Sequence, residues 1–383
     1  YRFNTTYTND LDVSGNTIVR KRISQILNDD PSFSHVNGYY ALSKNIAPKV
    51  SNKIADDLIN NFTWNTITGL TTIITVAWSP ELNIFVCAGS GAYSYSSDGI
   101  NWSDGAIITN MSIIFSIAWS AELGIFVAVG YQGKHSYSYD GITWADASTI
   151  TDINTIYCVV WSSELGKFIA VGDYGKYTYS TNGINWSSGA NISGMSNGIQ
   201  QIVWSAELGK FIAFSTNGST GILSYSSDGI NWSDTYSVTK YYPHAIWSKE
   251  LGKFIVFSND GYYSYSSDGI NWADESLLTG FSSIYSIIWS AELGKIVIVG
   301  DSGKYSYSSD GINWANVSSI SGFSVHIRSI VWSAELGKLV AVGHSGKHAY
   351  TNPMYVLPTT KNIFQNTILY DVSINHNLDV TGI

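Results

Sequence analysis

Residues 284–314 read IYSIIWSAELGKIVIVGDSGKYSYSSDGINW, and this stretch decides the fold of the chain. Three runs within it, at 284–290, 295–300 and 304–308, have the length and the apolar or alternating pattern of short β-strands. Each run ends at a turn that contains glycine. After the last of these turns, Ser-Asp-Gly, a fourth strand is predicted at 312–317. The stretch therefore predicts a unit of four short strands joined by tight turns.

This unit is repeated along the chain. The Trp-Ser pair that ends its first strand recurs seven times at spacings of 41 to 43 residues, at Trp78, Trp119, Trp161, Trp204, Trp247, Trp289 and Trp332. A second tryptophan ends six of the copies, at Trp102, Trp144, Trp186, Trp232, Trp272 and Trp314. Four strands in roughly 40–45 residues are typical of a β-propeller blade. The sequence predicts an all-β fold, a seven-bladed β-propeller of four-stranded blades at 61–357, with short flanking segments outside it.

The turn before the second tryptophan resembles the Asp-box, a hairpin motif of sialidase-like (BNR) propellers. That motif is Ser-x-Asp-x-Gly-x-x-Trp, whereas this chain has Ser-x-Asp-Gly-x-x-Trp, one residue shorter, over about three quarters of its length. The resemblance implies a carboxylate that accepts hydrogen bonds from turn amides, and glycine supplies the positive φ angle that such a turn needs. We therefore expect these residues to serve folding, not catalysis. After this resemblance we call the Ser-x-Asp-Gly turns of this chain Asp-boxes; their acid position holds Asp98, Asp140, Asp228, Asp268 and Asp310, and Asn182 replaces the acid once.

The two ends of the repeat region have complementary defects. Trp64 has the position of an outer-strand tryptophan but has no blade of its own, and the last blade has no Asp-box at 351–353. We expect residues 61–65 to supply the fourth strand of the blade that begins at Arg328, which would remove the open edges of the ring. The alternative is that residues 354–357 form that strand.

Comparison of the seven copies divides the ring into two faces. The first-to-second turns all contain glutamate and the third-to-fourth turns are the Asp-boxes, so we call their common side the repeat face. The second-to-third turns differ in every copy and lie on the opposite side, which we call the variable face. Loops on a rigid frame usually carry recognition. The candidate ligand-binding residues on this face are Tyr131, Gln132, Asp173, Tyr174, Asn259, Asp260, Asp301 and His344.

Composition narrows the function classes. The net charge of −9 gives no basic surface for a phosphate backbone, so nucleic acid is not expected as a partner. The longest apolar runs are of strand length, so membrane insertion is not expected either. Cys87 and Cys158 are predicted to be buried thiols in different blades. His135 and His348 have no ligand partner at a spacing that suits zinc, so we expect neither a metal nor a cofactor.

The resemblance to sialidases raises a glycosidase hypothesis. Those enzymes hold the substrate carboxylate with three arginines, whereas only Arg328 of the four arginines lies inside the ring. A different glycosidase would need two carboxylates about 5–10 Å apart. Asp173, Asp260 and Asp301 are isolated loop acids that could in principle supply them. The prediction is that the chain is not an enzyme, with a glycoside hydrolase of sialidase-like fold as one alternative.

The flanking segments suggest the setting of the propeller. Residues 11–16, LDVSGN, and 378–383, LDVTGI, are near copies that resemble the spacer units of phage or giant-virus fibre proteins. We expect an N-terminal arm at 1–60 with a short helix at 51–60, a fibre-like C-terminal spacer at 358–383, and a longer parent polypeptide.

The predicted function follows from these features together. It is a non-catalytic virion surface or fibre protein, which the flanks suggest forms a homotrimer. Its propeller would bind a host-surface glycan or another virion protein. The alternative is an extracellular microbial adhesin or a surface repeat protein, located outside the cell or at its surface.

Overall fold

The structure, a computed structural model, describes residues 52–217 and 220–352 and the backbone of two strands before them. Those strands, β1 (Phe33–Val36) and β2 (Tyr39–Leu42), pair antiparallel. Helix α1 (Asn52–Ile59) follows, as the sequence predicts, and then strand β3 (Phe62–Thr66). The predicted spacer at 358–383 and the alternative closing strand at 354–357 lie outside the described residues.

Seven antiparallel sheets follow one another along the chain as blades 1 to 7, which confirms the predicted fold class. Blade 1 contains β4 (Ile73–Ser79), β5 (Ile84–Gly89) and β6 (Tyr93–Ser96). Blade 2 contains β7 (Ile114–Ser120), β8 (Ile125–Gly130), β9 (Lys134–Ser138) and β10 (Ser148–Thr149). Blade 3 contains β11 (Ile156–Ser162), β12 (Lys167–Gly172), β13 (Lys176–Ser180) and β14 (Ala190–Asn191). Blade 4 contains β15 (Gln201–Ser205), β16 (Lys210–Asn217), β17 (Thr220–Ser226) and β18 (Tyr236–Val238).

The remaining blades repeat this order. Blade 5 contains β19 (His244–Ser248), β20 (Lys253–Phe257), β21 (Tyr262–Ser266) and β22 (Ser276–Leu277). Blade 6 contains β23 (Ile284–Ser290), β24 (Lys295–Gly300), β25 (Lys304–Ser308) and β26 (Ser318–Ser319). Blade 7 contains β27 (Ile327–Ser333), β28 (Lys338–Gly343) and β29 (Lys347–Thr351), with β3 as its fourth strand.

The first strand of each blade is the innermost. Each first strand packs against the first strands of both neighbouring blades, and β27 packs against β4, so the seven strands surround a central channel. The second strands are almost wholly apolar and buried, as in β8 and β28, because each blade is covered on both faces by its neighbours. The core therefore lies between blades.

The ring closes through β3. Strand β3 pairs antiparallel with β29, with Phe62 opposite Thr351 and Trp64 opposite Ala349. Trp64 donates a hydrogen bond of 3.0 Å from Nε1 to the carbonyl oxygen of Ser321. The prediction that the N-terminal segment supplies the missing strand is confirmed, one residue later than predicted at each end.

The fourth strand of the quoted unit differs from the prediction. It covers only Ser318–Ser319, not 312–317. The amides of Ile312 and Asn313 are held by the side chain of Asp310, at 2.8 and 2.7 Å, and cannot join a sheet ladder. In blade 1 the fourth strand is reduced to a single bridge between Tyr93 and Ala106. The fourth strand therefore begins several residues after the Asp-box, and not directly after it.

Candidate functional site

The Asp-box carboxylates are fully engaged in their own turns. Oδ1 of Asp98 accepts hydrogen bonds from the amides of Ile100 and Asn101, both at 2.8 Å, and from the hydroxyl of Ser96 at 3.0 Å. Oδ2 accepts one from the side-chain amide of Asn101. Burial raises the pKa of Asp98, but the hydrogen bonds from Asn101, Ile100 and Ser96 outweigh it and hold this pKa at about 2. These contacts leave the carboxylate to stabilise its turn.

Asn182 shows that the turn does not need a charge. Its side-chain oxygen accepts the amides of Ile184 at 3.0 Å and Asn185 at 2.8 Å, in the same geometry as the aspartates. The backbone amide of the glycine after the acid position donates a hydrogen bond to the hydroxyl of the serine before it, as Gly183 does to Ser180 at 2.9 Å. A neutral residue that builds the same turn supports a structural role for the whole series.

The repeat face also carries a ring of Trp–Glu pairs that the sequence analysis did not foresee. In each blade, Nε1 of the Trp-Ser tryptophan donates to Oε2 of the glutamate in the preceding blade, at 2.6–2.8 Å. The seven pairs are Trp119–Glu81, Trp161–Glu122, Trp204–Glu164, Trp247–Glu207, Trp289–Glu250, Trp332–Glu292 and Trp78–Glu335. These bonds explain why the glutamate recurs in every copy. Because the tryptophans and the glutamates recur with the same period, the sequence contained a signal from which these pairs could have been predicted.

His135 and His348 each link two blades. Nε2 of His348 lies 3.2 Å from the carbonyl oxygen of Ile100 in blade 1, and Nε2 of His135 lies 3.0 Å from that of Ile184. Tyrosine makes the same link elsewhere, as where the hydroxyl of Tyr93 donates to Ile142 at 2.6 Å. Within residues 52–217 and 220–352, no group of three potential ligand residues is placed to hold a metal ion.

Two further predictions concern the cysteines and insertion into a membrane. Cys87 and Cys158 are free and buried, and burial raises the pKa of both thiols. In the part of the chain that the structure describes, no helix has the length and apolar character of a membrane span.

On the variable face, Asp173 and Asp301 occupy equivalent turns and are both buried. Oδ1 of Asp301 accepts the amides of Ser282 at 2.8 Å and Ser283 at 3.0 Å, and its Oδ2 pairs with Lys304 at 2.9 Å. Asp173 accepts the amide of Asn154 at 3.2 Å. Both carboxylates therefore fasten the turn to the connection that precedes the blade, and neither is presented to solvent as a free ligand group.

The other candidate residues on this face differ in exposure. Tyr174 is 70% exposed and Tyr131 is 40% exposed, so both rings are open to a partner. Gln132 is exposed and has a positive φ angle of 59°. These three side chains are available for contacts, and their role in binding stays a prediction.

Blade 5 presents a polar pair on the same face. Oδ1 of the exposed Asn259 lies 3.0 Å from Nε2 of His244. Burial lowers the pKa of His244 to about 4, against the opposing effect of this hydrogen bond, so the ring is neutral at pH 7. Asp260 accepts a hydrogen bond from the hydroxyl of Ser258 and lies 3.7 Å from Lys240. Asp260 is thus partly neutralised.

β-Bulges occur where five of the seven first strands begin, at the variable-face end of the channel. In five first strands one extra residue is inserted near the start; in β23, for example, Ile284 is opposite Gly300 and Ser286 is opposite Val299, so Tyr285 is the bulged residue. A bulge next to a channel redirects a side chain. We call the five bulged residues the collar: Ile74, Phe115, Tyr157, Tyr285 and Arg328.

Two pairs of neighbouring collar residues are in contact. The rings of Phe115 and Tyr157 have centroids 5.6 Å apart, and the guanidinium of Arg328 lies 4.4 Å from the ring centroid of Tyr285. All five collar residues are half-buried. The contact of Arg328 with Tyr285 could not be predicted, because the bulges leave the spacing of the repeats unchanged.

His344, a predicted site residue, joins the collar from the last blade. Its ring lies 5.1 Å from that of His326, which is 5.4 Å from the ring of Tyr285. Burial lowers the pKa of His344, and the charges of Arg328 and His326 lower it further. The structure thus brings His344 to the collar at blades 6 and 7.

Solved structures share this architecture. The structure described as YCF48 bound to D1 peptide is similar over 81% of this chain and 100% of that chain, with a TM-score of 0.61 and 14% identity. The WD40 β-propeller domain of Doa1 is similar over 76% of this chain and 96% of that chain, with a TM-score of 0.60 and 14% identity. Likeness at this identity shows the fold alone. No protein-family model and no curated protein sequence matches the chain.

Proposed function

We propose that the propeller is a non-catalytic binding module of a virion surface fibre and that it binds a partner protein at the collar. One observation carries the proposal: bulged first strands present five side chains of differing chemistry at the channel mouth, on the face whose turns differ. The frame that holds them is closed by repeated bonds between blades. A rigid frame with a varied mouth is the arrangement expected of a recognition surface.

Catalysis is not favoured by the candidate acids. Asp173 and Asp301 are buried and bonded to backbone amides, and Asp260 is shared between Ser258 and Lys240. A panel of chromogenic glycosides tests this part of the proposal. Turnover that is lost in Asp173→Asn or Asp301→Asn would support the hydrolase alternative.

Binding at the collar is tested by adsorption of the purified chain to proteins from disassembled virions. We expect the double variant Phe115→Ala, Tyr157→Ala to lose adsorption, because it empties one side of the collar. Lys249→Ala is the matched control, since Lys249 is an exposed residue of the repeat face. Equal adsorption by the wild type and the collar variant would refute the proposal.

The virion setting, which rests on the fibre-like flanks, has its own test. Antibodies against the propeller should label intact particles, and native mass spectrometry should give the mass of a trimer. Labelling of an uninfected cell surface would favour the adhesin alternative. Adsorption to host-cell glycans that a glycan array reproduces would identify a sugar, not a protein, as the partner.

A further inference from the structure

We infer that Arg328 is the anchor of the collar site and that its ligand is a carboxylate beside an apolar side chain, in a peptide segment of a partner protein. The inference rests on the proposed binding function and names the chemistry of its ligand. Four features support it: the absence of an anionic partner for Arg328 among the described residues, the occupation of nearby acids, the apolar collar residues of the next two blades and the distribution of charge between the faces.

Arg328 has no anionic partner. The four ion pairs among the described residues do not include it, and its guanidinium donates no hydrogen bond to a described residue. It is half-buried and lies 4.4 Å from the ring centroid of Tyr285. Five N–H donors in a planar fork match a carboxylate with two parallel hydrogen bonds. The side chain is therefore held ready for an anion that the described part of the chain does not supply.

The candidate acids of the variable face have other partners, and Asp260 lies 3.7 Å from Lys240. Asp301 is occupied by the amides of Ser282 and Ser283 and by Lys304, and Asp173 is buried. His244 is neutral at pH 7, so it adds no positive charge to the collar. Arg328 is the one collar residue with a permanent charge, which favours recognition of a single anionic group over a highly charged polymer.

The collar is apolar on the side of Arg328 where blades 1 and 2 follow blade 7 around the ring. Ile74 and Phe115 are the bulged residues of blades 1 and 2, and neither side chain can form a hydrogen bond. A carbohydrate carries hydroxyl groups on every edge, and a buried hydroxyl without a partner costs about 1–3 kcal/mol. A peptide that places a carboxylate at Arg328 and a nearby apolar side chain at Phe115 would match both parts of the collar.

The distribution of charge favours approach from this side. The repeat face carries seven glutamates and five Asp-box aspartates, and four strand-two lysines near that face are directed to backbone carbonyls of the Asp-boxes, as where Lys338 donates to Asp98 at 2.6 Å. A carboxylate ligand would be repelled there. Complementary potential steers encounters and selects orientation. An acidic peptide is therefore expected at the variable face.

The test uses the full chain and an array of randomised eight-residue peptides. Each peptide is displayed in three forms. The first has a free C-terminal carboxylate, the second has an internal Asp and an amidated C-terminus, and the third has Asn in place of that Asp and an amidated C-terminus, so it has no carboxylate at either position. We expect wild-type binding to peptides that pair an apolar residue with a carboxylate, and the first two forms show which carboxylate is used. Arg328→Gln should weaken that binding about tenfold or more, since a hydrogen bond to a charged group contributes about 1.5–3 kcal/mol.

Two variants make the outcome decisive. Arg328→Lys keeps the charge but loses the planar fork, so it should bind more weakly than the wild type and more tightly than Arg328→Gln. Circular dichroism should show all three proteins folded, because Arg328 makes no ion pair in the described structure. Peptide binding that Arg328→Gln leaves unchanged would overturn the inference while leaving the collar as a binding site.

Other results would also overturn it. Preference for amidated Asn peptides would exclude a carboxylate ligand. Binding of oligoglucuronate that depends on Arg328, without peptide binding, would identify an acidic sugar as the ligand. Failure of every peptide to bind the wild type refutes the inference, and the separate adsorption assay with Phe115→Ala, Tyr157→Ala decides whether the proposed function fails with it.

Discussion

Nε1 of Trp78 donates a hydrogen bond of 2.8 Å to Oε2 of Glu335, although 257 positions separate the two residues in the sequence. The same bond joins Trp204 to Glu164 at 2.8 Å, where only 40 positions separate them. Trp78 also packs on Phe85 much as Trp204 packs on Phe211, with centroids 4.2 and 4.3 Å apart. The interface between the first and last blades therefore matches an interface within the chain.

This equivalence gives a matched pair of variants. Glu335→Ala and Glu164→Ala each leave an indole N–H without its acceptor, so each should lower the free energy of unfolding by about 1 kcal/mol. Urea unfolding of both variants measures the two losses. A loss at Glu164 with none at Glu335 would contradict closure of the ring in solution.

The closing strand should control thermal stability. Deletion of residues 1–66 removes β3, exposes the edge of β29 and removes the contact of Trp64 with Phe323, whose rings are 6.2 Å apart. We expect Tm to fall by roughly 10 °C or more, because each kcal/mol shifts Tm by roughly 2–4 °C in domains of 150–250 residues. Calorimetry measures the change.

A shorter deletion supplies the control. Removal of residues 1–51 keeps both α1 and β3, so it should change Tm by much less. An equal Tm for the two truncated chains would mean that β3 does not close the ring.

Asp56 of α1 replaces part of the missing seventh Asp-box. In blades 3, 4, 5 and 7, a lysine at the start of the second strand donates to the Asp-box of the next blade. Blade 7 has no Asp-box to accept from Lys295 of blade 6, and Lys295 instead pairs with Asp56 at 2.7 Å. The side chain of Lys295 is only 5% exposed, so loss of its partner leaves a buried charge.

Asp56→Asn should therefore lower the free energy of unfolding by roughly 2 kcal/mol, less than for a fully buried pair because Asp56 is partly exposed. Asp57→Asn is the matched control, since Asp57 is exposed on the same helix. Chemical denaturation compares the two variants. Equal stability of both would show that the Asp56–Lys295 pair does not hold α1 to the ring.

The Asp-boxes should make stability depend on pH. The pKa values of Asp98, Asp228 and Asp310 are about 2 in the folded chain, below the ordinary value of 3.8. The folded state therefore favours the ionised form, and this contribution is present above pH 3.8 and is lost as the pH falls towards 2. We expect the urea midpoint to fall across that window.

Asparagine variants test the origin of this fall. The double variant Asp98→Asn, Asp228→Asn copies the neutral turn at Asn182 and should show a flatter pH dependence between pH 4 and pH 2. Its folded structure should be unchanged, because the asparagine oxygen can accept the same amides. A fall as steep as that of the wild type would place the acid sensitivity in other groups.

The fold could be predicted from the sequence because the same strand and turn patterns recur in each blade. Trp64 could even be assigned to the last blade, since one surplus tryptophan at the start matched one missing tryptophan at the end. The bounds of the fourth strand could not, because Asp310 takes the amides that a ladder would use. The local sequence pattern predicts that a strand is present, but the hydrogen bonds from backbone amides to the aspartate side chain make that strand shorter than the pattern predicts.

The candidate site was less predictable. Variation among the turns selected Asp173 and Asp301, but variation cannot distinguish an exposed acid from one that is buried by the preceding connection. Arg328 and Tyr285 lie on adjacent first strands, and their contact depends on two bulges that leave the repeat spacing unchanged. Asp56 is likewise a single-copy contact with no counterpart in other blades. Features of this kind arise from packing and have no signature in a repeat.

The pairing of Phe62 with Thr351 has a consequence for how the ring is mounted. Strand β3 begins, and β29 ends, at the repeat face, so the polypeptide enters and leaves the propeller side by side on that face. If both ends of the propeller join a stem, as the proposed fibre requires, the stem lies on the side of the repeat face and the collar lies on the opposite side of the ring. The acidic repeat face would then be the proximal side, and Arg328 would stand at the outermost tip.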